Sequence, residues 1–245
     1  MSEIIVDCKN IKKTFEMGTE KVHALVDISV EIIKGEYISI MGPSGSGKST
    51  LFNIIGGLDT PTSGKVEVEG YSLSELNSSQ LAWFRCHKIG FIFQSFNLIP
   101  TMTAVENVAI ARIFSGVSPA QAREDAAKVL EKVGLGHRLD HLPSQVSGGQ
   151  QQRIAIARAL VNEPLIILAD EPTGNLDLKT GEEIIALLND MKDRLGVTII
   201  TATHDMKMLS CSDKILHINQ GEIASIDTPD DVKVKIGSID GEVVM

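Results

Sequence analysis

Residues 42–50 read GPSGSGKST and stand between two apolar runs, YISIM at 37–41 and LFNII at 51–55. The change from apolar residues to glycine and back predicts a strand, a loop and the start of a helix. Glycines allow the loop backbone to point successive N–H groups at one anion, while Lys48 adds a positive charge and the hydroxyl of Ser49 can ligate magnesium. The stretch therefore predicts a phosphate-binding loop. A flexible glycine and serine linker is the alternative, which the flanking apolar runs disfavour.

The length and charge of the chain limit its possible partners and location. Its 245 residues are 43% hydrophobic, enough for one large domain or a domain with a lobe. The formal net charge is -9, which argues against sequence-independent binding to nucleic acid, so no nucleic-acid partner is expected. The first ten residues do not resemble a signal peptide, and no apolar stretch approaches membrane-spanning length. We therefore expect a cytoplasmic protein.

The three cysteines do not predict a disulfide framework or a zinc site. Cys8, Cys86 and Cys211 are far apart and form no C-x-x-C pair. We expect all three to be small buried hydrophobic residues.

The part of the chain around the phosphate loop has strand-like alternation of apolar and polar residues. The alternating stretches are 3–9, 22–24, 28–32 and 65–69. The first three predict antiparallel strands that lead into the phosphate loop. Residues 75–87 have the apolar spacing of a helix, and 89–93 form an apolar strand that ends at Gln94.

Helices dominate from about residue 95 to about residue 160. They are predicted at 104–114, 119–133 and 149–161, with proline and glycine between them. This block predicts a helical lobe inserted into an α/β core.

The last third of the chain returns to alternating strands and helices. The apolar runs 165–169 and 197–202 are typical of strands buried on both faces, and 178–195 is an amphipathic helix. Residues 214–226 predict a hairpin. Strands alternating with helices indicate a mainly parallel sheet, with functional residues at the carboxyl ends of its strands.

Polar residues at these strand ends are candidates for hydrolytic chemistry. Asp170 can hold Mg²⁺ through its water shell, and Glu171 can accept a proton from an attacking water. A solvated acidic turn is the alternative for such a pair. Gln94 and His204 follow two further strands and can hydrogen-bond the water or the terminal phosphate.

Residues 146–153, VSGGQQQR, predict a second anion-binding helix start. Ser147 is a good N-cap, and the two glycines after it leave backbone N–H groups uncovered. A chain with one phosphate cradle has no obvious need of another.

These motifs together resemble the ATP-binding subunits of ABC transporters, and the resemblance covers nearly the whole chain. Residues 42–50 resemble the Walker A loop, Gln94 the Q-loop glutamine and 146–150 the signature. LIILADE at 165–171 resembles the Walker B strand, 174–177 the D-loop and His204 the switch histidine. The motifs stand in the family's order with similar gaps.

The resemblance implies a P-loop NTPase core with a mainly parallel sheet, an N-terminal antiparallel β subdomain and an inserted α-helical subdomain. Residues 1–245 would then form a single ABC ATPase domain. Residues 1–94 and 161–245 would make up the ATP-binding core, and 95–160 the helical signature subdomain.

The resemblance also implies ATP and Mg²⁺ as ligands and assigns roles to residues. The catalytic residues would be Glu171, His204, Gln94 and Lys48. The metal ligands would be Ser49, Gln94 and Asp170. The nucleotide-binding residues would be Phe15, Gly42, Pro43, Ser44, Gly45, Ser46, Gly47, Lys48, Ser49, Thr50, Ser147, Gly148, Gly149, Gln150 and Asp177.

Two positions depart from the family pattern. Val146 stands where leucine is usual, and Phe15 stands where tyrosine is commoner for stacking on adenine. Without the resemblance, Phe15 is more simply interpreted as a core residue than as a platform for a purine ring.

The resemblance further implies partners. The signature of one subunit would cap ATP held by another, giving a head-to-tail homodimer with two buried ATP molecules. A separate membrane permease, contacted near 96–103, would hold the protein at the inner face of the cell membrane. The similar subgroup includes lipoprotein-release ATPases, macrolide-efflux ATPase domains and the cell-division ATPase FtsE. Mechanical signalling is thus an alternative to transport, and a soluble ABC ATPase acting on nucleic acid or ribosomes a weaker one.

Overall fold

The computed structural model describes residues 3–18, 20–203 and 206–231. These residues contain strands β1 (Ile4–Met17), β2 (Glu20–Ile33), β3 (Tyr37–Met41), β4 (Ser63–Val68), β5 (Tyr71–Ser72), β6 (Ile89–Ile92), β7 (Ile166–Asp170), β8 (Thr198–Ala202), β9 (Lys214–Asn219) and β10 (Glu222–Asp227). The α-helices are α1 (Lys48–Ile55), α2 (Ser78–Lys88), α3 (Ala104–Phe114), α4 (Pro119–Lys132), α5 (Gly148–Leu160), α6 (Leu178–Leu195) and α7 (Met206–Leu209).

The described strands form one sheet in the order β5-β4-β1-β2-β10-β9-β3-β8-β7-β6. One half is antiparallel, with β1 between β2 and β4. In the other half, β9, β3, β8, β7 and β6 run parallel, and β10 returns antiparallel to β9. The two halves meet where β10 pairs with β2 at Glu222 and Asp27. The predicted fold class is therefore confirmed.

The apolar runs of the parallel strands are buried because helices cover both faces of this half of the sheet. Ile38 and Ile40 of β3 pack in one apolar cluster with Phe52 of α1. Tyr37 of the same strand and Ile199 of β8 belong to a second cluster with residues of α5 and α6. Alternate residues of one strand thus face opposite layers. This packing fixes the strand ends that carry the polar residues.

The inserted lobe is built from α3, α4 and α5. Their buried residues Val105, Leu130 and Ile154 lie in one apolar cluster. The lobe joins the sheet through α5, which lies beside β6, so its first turn is held close to the core.

Two sequence expectations need correction. Cys8 is buried, but Cys86 and Cys211 are only partly buried. Cys86 is on the surface of α2, where its Sγ lies 3.6 Å from Nδ2 of Asn162. The hairpin strands β1 and β2 are also longer than predicted, because cross-strand pairs such as Glu16 with Lys21 continue the ladder through polar sequence. Within the described ranges, no helix has the length and apolarity needed to cross a bilayer.

Candidate active site

The phosphate loop is a tight connection between β3 and α1. A Cβ on Gly42 would collide with the carbonyl oxygen of Ile218 and lie 2.6 Å from Oγ of Ser46. A Cβ on Gly47 would lie 2.6 Å from the carbonyl oxygen of Ala24. Only glycine fits at these two positions, because β9 and β2 approach the loop backbone so closely.

The polar groups of the loop fit an anionic ligand. The Lys48 amine donates to the carbonyl oxygens of Gly42, 2.7 Å away, and Pro43, 2.9 Å away. Ser46 is buried, and its hydroxyl has no hydrogen-bond partner among the described residues. The loop tip and Ser49 are exposed. The loop thus offers a buried hydroxyl, a fixed cation and an open outer face, which are the features that a bound phosphate requires.

Asp170 and Glu171 lie at the end of β7, beside β8. Burial and the neighbouring charge of Glu171 raise the pKa of Asp170, while the positive charge of Lys48 acts in the opposite direction. The Lys48 amine and the Asp170 carboxylate therefore interact across the phosphate loop. Asp170 and the Ser49 hydroxyl supply the oxygen ligands that Mg²⁺ prefers, and a bound cation would offset the cost of the buried carboxylate.

Glu171 has a left-handed backbone, with φ 44°, which is uncommon for a residue with a side chain. Its N–H donates to the carbonyl oxygen of Ala202 on β8, 2.8 Å away. This bond fixes the turn by which the chain leaves β7, and the Glu171 carboxylate lies near Gly174 in the loop that follows.

Gln94 and Glu171 meet at Gly174. A Cβ on Gly174 would lie 2.7 Å from Nε2 of Gln94 and 3.3 Å from Oε2 of Glu171. Asn175 donates from Nδ2 to the carbonyl oxygen of Gln94, 2.9 Å away. The structure therefore brings together the predicted glutamine and glutamate, which are 77 residues apart in the chain.

The signature helix start has the predicted cap. The Ser147 hydroxyl accepts from the N–H of Gln150, and Oε1 of Gln150 accepts from the N–H of Ser147. A Cβ on Gly148 would have only Leu176 and Phe96 side chains within 4 Å. A Cβ on Gly149 would collide with Thr180. The signature glycines therefore face residues near Gln94 and the start of α6, and their nearest described neighbours include no atom of the phosphate loop.

Asp177 caps α6. Its carboxylate accepts from the N–H of Thr180, 3.1 Å away, and from the Thr180 hydroxyl, 2.6 Å away. These hydrogen bonds hold the pKa of Asp177 below its usual value. Asp177 thus has a structural role in this chain beside the nucleotide contact that the resemblance implies.

Phe15 is not a core residue. The residue is 40% exposed on β1, so the interpretation of Phe15 as a core residue is wrong. The amine of Lys13 lies 4.9 Å from the centroid of the Phe15 ring. His204 lies outside the described residues.

Sequence reasoning missed Gln152 of α5. This residue is fully buried, and Nε2 donates to the carbonyl oxygen of Pro172, 2.8 Å away. Gln152 shares a helix face with Ile156 and Ala159, both buried. Gln150 has the same spacing to Ile154 and Ala157, which are also buried, so this pattern alone does not single out Gln152.

Comparison with known proteins decides the family. The family model described as ABC transporter matches residues 25–174. The chain belongs to the ABC transporter family. This ABC chain is 49% identical to the macrolide export ATP-binding/permease protein MacB of Brucella abortus over 228 residues, 93% of this chain and 35% of that protein. It is 41% identical to the lipoprotein-releasing system ATP-binding protein LolD of a Shewanella species, over 92% of this chain and 98% of LolD.

A solved structure supports the same assignment. The dimeric post-hydrolysis state of the ATP-binding cassette MJ0796, bound to ADP and Pi, superposes on this ABC chain with a TM-score of 0.85. The two sequences are 45% identical over 92% of this chain and 99% of that one. MJ0796 is from Methanocaldococcus jannaschii. The subgroup expected from the sequence is confirmed, and the chain is an ABC-type ATPase that binds and hydrolyses ATP.

Proposed function

We propose that two copies of this chain close head to tail around two ATP molecules and that hydrolysis drives a separate membrane permease. The observation that carries the proposal is the placement of the signature. Its glycines pack near Phe96, Leu176 and Thr180, and no phosphate-loop atom is among the nearest described neighbours of a Cβ built at either position. The N-terminus of α5 is suited to bind an anion. In this proposal the anion is a phosphate of the ATP that another copy holds.

Each residue group has a distinct role in this proposal. Residues 42–50 hold the phosphates, Phe15 stacks on the adenine, and Ser147, Gly148, Gly149 and Gln150 of a second copy cap the γ-phosphate. Asp177 is proposed to contact the nucleotide at the interface between the two copies. Ser49, Asp170 and Gln94 would hold Mg²⁺, which neutralises charge on the phosphates when bound.

Glu171 is the proposed general base. Its carboxylate lies beside the terminal amide of Gln94 at Gly174, so one water can be held by the amide and give its proton to the carboxylate. The Lys48 amine, already fixed beside the loop, stabilises the charge that develops on the phosphate. His204 is proposed to contact the same phosphate.

Within the single domain of residues 1–245, we assign ATP binding to 1–94 and 161–245 and the signature to 95–160.

The permease is proposed to bind beside a groove of about 760 Å³ between α2, β6, α3 and α5. Asn97, from the predicted contact stretch 96–103, lines this groove. Trp83 and Phe114 line it as well and are 47% and 76% exposed. Apolar side chains this exposed fit an apolar segment of a membrane protein. This contact would hold the protein at the cytoplasmic face of the membrane.

The first experiment tests the dimer. Glu171→Gln keeps the size of the side chain and removes its basicity, so ATP should bind but not turn over. Light scattering should then show a dimer with ATP and a monomer without it. Glu124→Gln, on the exposed face of α4, is the matched control and should hydrolyse ATP normally. A Glu171→Gln variant that stays monomeric at saturating ATP, or hydrolyses ATP normally, contradicts the proposal.

The second experiment tests the permease. Phe114→Asp should keep ATP-dependent dimerisation and lose co-purification with a membrane protein from native membranes. Leu195→Asp replaces another exposed apolar residue, at the end of α6, and should retain the membrane protein. If both variants retain it equally, the groove is not the contact.

A further inference from the structure

The Lys13 amine makes three contacts where β1 passes the segment that follows α1. It lies 2.6 Å from Oδ1 of Asp59, 2.8 Å from the carbonyl oxygen of Thr60 and 4.9 Å from the centroid of the Phe15 ring. Its side chain is only 13% exposed, although lysine is normally a surface residue. The two polar contacts and the low exposure restrict the position of this amine.

The contact with Lys13 favours one orientation of the Phe15 ring. A phenylalanine ring has no polar atom to anchor it, and Phe15 is 40% exposed, so packing covers only part of the residue. A cation over one face of the ring is attracted by the ring quadrupole. The amine therefore holds one side of the ring, and its exposed surface is left for a ligand.

Asp59 connects this arrangement to the helix that begins at Lys48. The N–H groups of Leu58 and Asp59 both donate to the carbonyl oxygen of Asn53 in the last turns of α1. The ion pair between Lys13 and Asp59 thus joins β1 to the segment that leaves α1. A second link is close by, since the N–H of Thr14 donates to the Thr62 hydroxyl, 3.0 Å away.

Other lysine pairs of the same hairpin differ. Lys9, paired with Asp7, is 60% exposed, and Lys21 is 3.8 Å from Glu16. Neither amine is among the described contacts between a cation and a ring. They are ordinary surface pairs, which contribute little to stability.

We propose that Lys13 and Asp59 are positioning residues for the base of the nucleotide. Their ion pair sets the place of the Phe15 ring relative to the phosphate loop, so that one molecule can reach both the ring and the loop. This inference rests on the proposed stacking of the purine on Phe15. It predicts that Lys13 affects ligands that carry a base and has little effect on ligands that consist of phosphate alone.

The test compares ADP with pyrophosphate by calorimetry in the presence of Mg²⁺, using the full chain. Lys13→Met keeps the aliphatic stem and should weaken ADP binding about three- to tenfold. Pyrophosphate binding should change by less than about twofold. Asp59→Asn should show the same selectivity with a smaller effect. Lys13→Arg should bind ADP normally, because a guanidinium can pair with the carboxylate and stack on the ring. Lys9→Met is the control and should change neither affinity.

Phe15→Ala distinguishes a failure of the proposed stacking on Phe15 from a failure of the positioning role of Lys13. If it leaves ADP binding unchanged, the proposed stacking on Phe15 is wrong. If Phe15→Ala weakens ADP binding and Lys13→Met does not, the positioning role of Lys13 is wrong. An equal loss of ADP and pyrophosphate binding in Lys13→Met also overturns the inference, because it would show a general distortion of the phosphate loop.

Discussion

Gln152 on the signature helix α5 donates from Nε2 to the carbonyl oxygen of Pro172, 2.8 Å away, in the loop that follows Glu171. The glutamine is fully buried. One hydrogen bond in the protein interior thus connects the helix proposed to cap the ATP of another copy with the loop that carries the proposed general base. Displacement of either segment requires the other to move or the bond to break.

Gln152→Leu should therefore lower both stability and turnover. The change leaves the Pro172 carbonyl without its donor, but it also removes the buried Oε1 of Gln152, which has no partner among the described residues. The net cost should therefore be about 1 kcal/mol in the free energy of unfolding, measured by urea denaturation. The kcat for ATP should also fall, because Glu171 loses support.

Gln121→Leu is the control for this substitution. Its side chain bonds Asp125 on the exposed face of α4, 2.9 Å away, and its loss should change neither quantity appreciably. A Gln152→Leu protein with normal kcat would show that the bond does not position Glu171.

The sequence predicted best those elements whose signals are local. The bounds of α3 and α6 agree with the predicted 104–114 and 178–195 because each helix begins at a capping residue, Thr103 or Asp177. The ends of β1 and β2 were missed, since their length comes from pairing with each other and the sequence near Gly18 is polar. Long-range pairing leaves little local trace.

In the candidate active site, too, contacts between distant residues could not be predicted from local sequence. The phosphate loop and the acidic strand end were recognisable because their chemistry lies in consecutive residues. The meeting of Gln94 with Glu171 depends on the packing of three loops, and the contact of Lys13 with Phe15 depends on the position of Asp59. Neither contact has a sequence pattern of its own.

Gly149→Ala should destabilise the protein through one contact. An added Cβ would collide with Cγ2 of Thr180 on α6. We expect a loss of about 1–3 kcal/mol, measured by denaturation. Thr180→Ser removes that methyl and keeps the hydroxyl bonded to Asp177, so the double variant should recover most of the loss.

Gly148→Ala is the stability control for this cycle. Its added Cβ would have its nearest neighbour, Cδ2 of Leu176, 3.6 Å away, which is ordinary contact distance. Its unfolding free energy should therefore stay near that of the parent. Failure of Thr180→Ser to rescue Gly149→Ala would show that the cost arises elsewhere.

Asp170→Asn should stabilise the protein while abolishing Mg²⁺-dependent hydrolysis. The pKa of Asp170 is raised by burial and by Glu171, so the folded state binds a proton more tightly than the unfolded state. The parent protein therefore loses stability as pH rises from the ordinary aspartate value of 3.8 through the raised value. The asparagine variant has no such loss, and its melting temperature should exceed the parent's at pH 7.

The decisive measurement is how the difference in melting temperature between Asp170→Asn and the parent changes with pH. The gain in melting temperature should shrink as pH falls through the raised pKa of Asp170 towards the ordinary aspartate value of 3.8, because protonation removes the buried charge from the parent. Asp193→Asn, on the exposed surface of α6, should give no comparable gain at any pH. A gain that is the same at pH 4 and pH 7 would mean that burial of the charge is not its cause.

Gly174→Ala should impair catalysis more than folding. The added Cβ would lie 2.7 Å from the terminal amide of Gln94 and 3.3 Å from the Glu171 carboxylate. Both neighbours are ends of side chains that can swing aside, so unfolding should change by less than about 0.5 kcal/mol. Displacing two groups proposed to hold the attacking water should lower kcat about ten- to a hundredfold.

Gly181→Ala is the matched control, because its Cβ would lie 3.6 Å from Thr173 without crowding it, and alanine suits a helix interior. The measurements are the kcat and the melting temperature of both variants. A Gly174→Ala enzyme with the parental kcat would show that catalysis does not require Gln94 and Glu171 to hold their present positions beside Gly174.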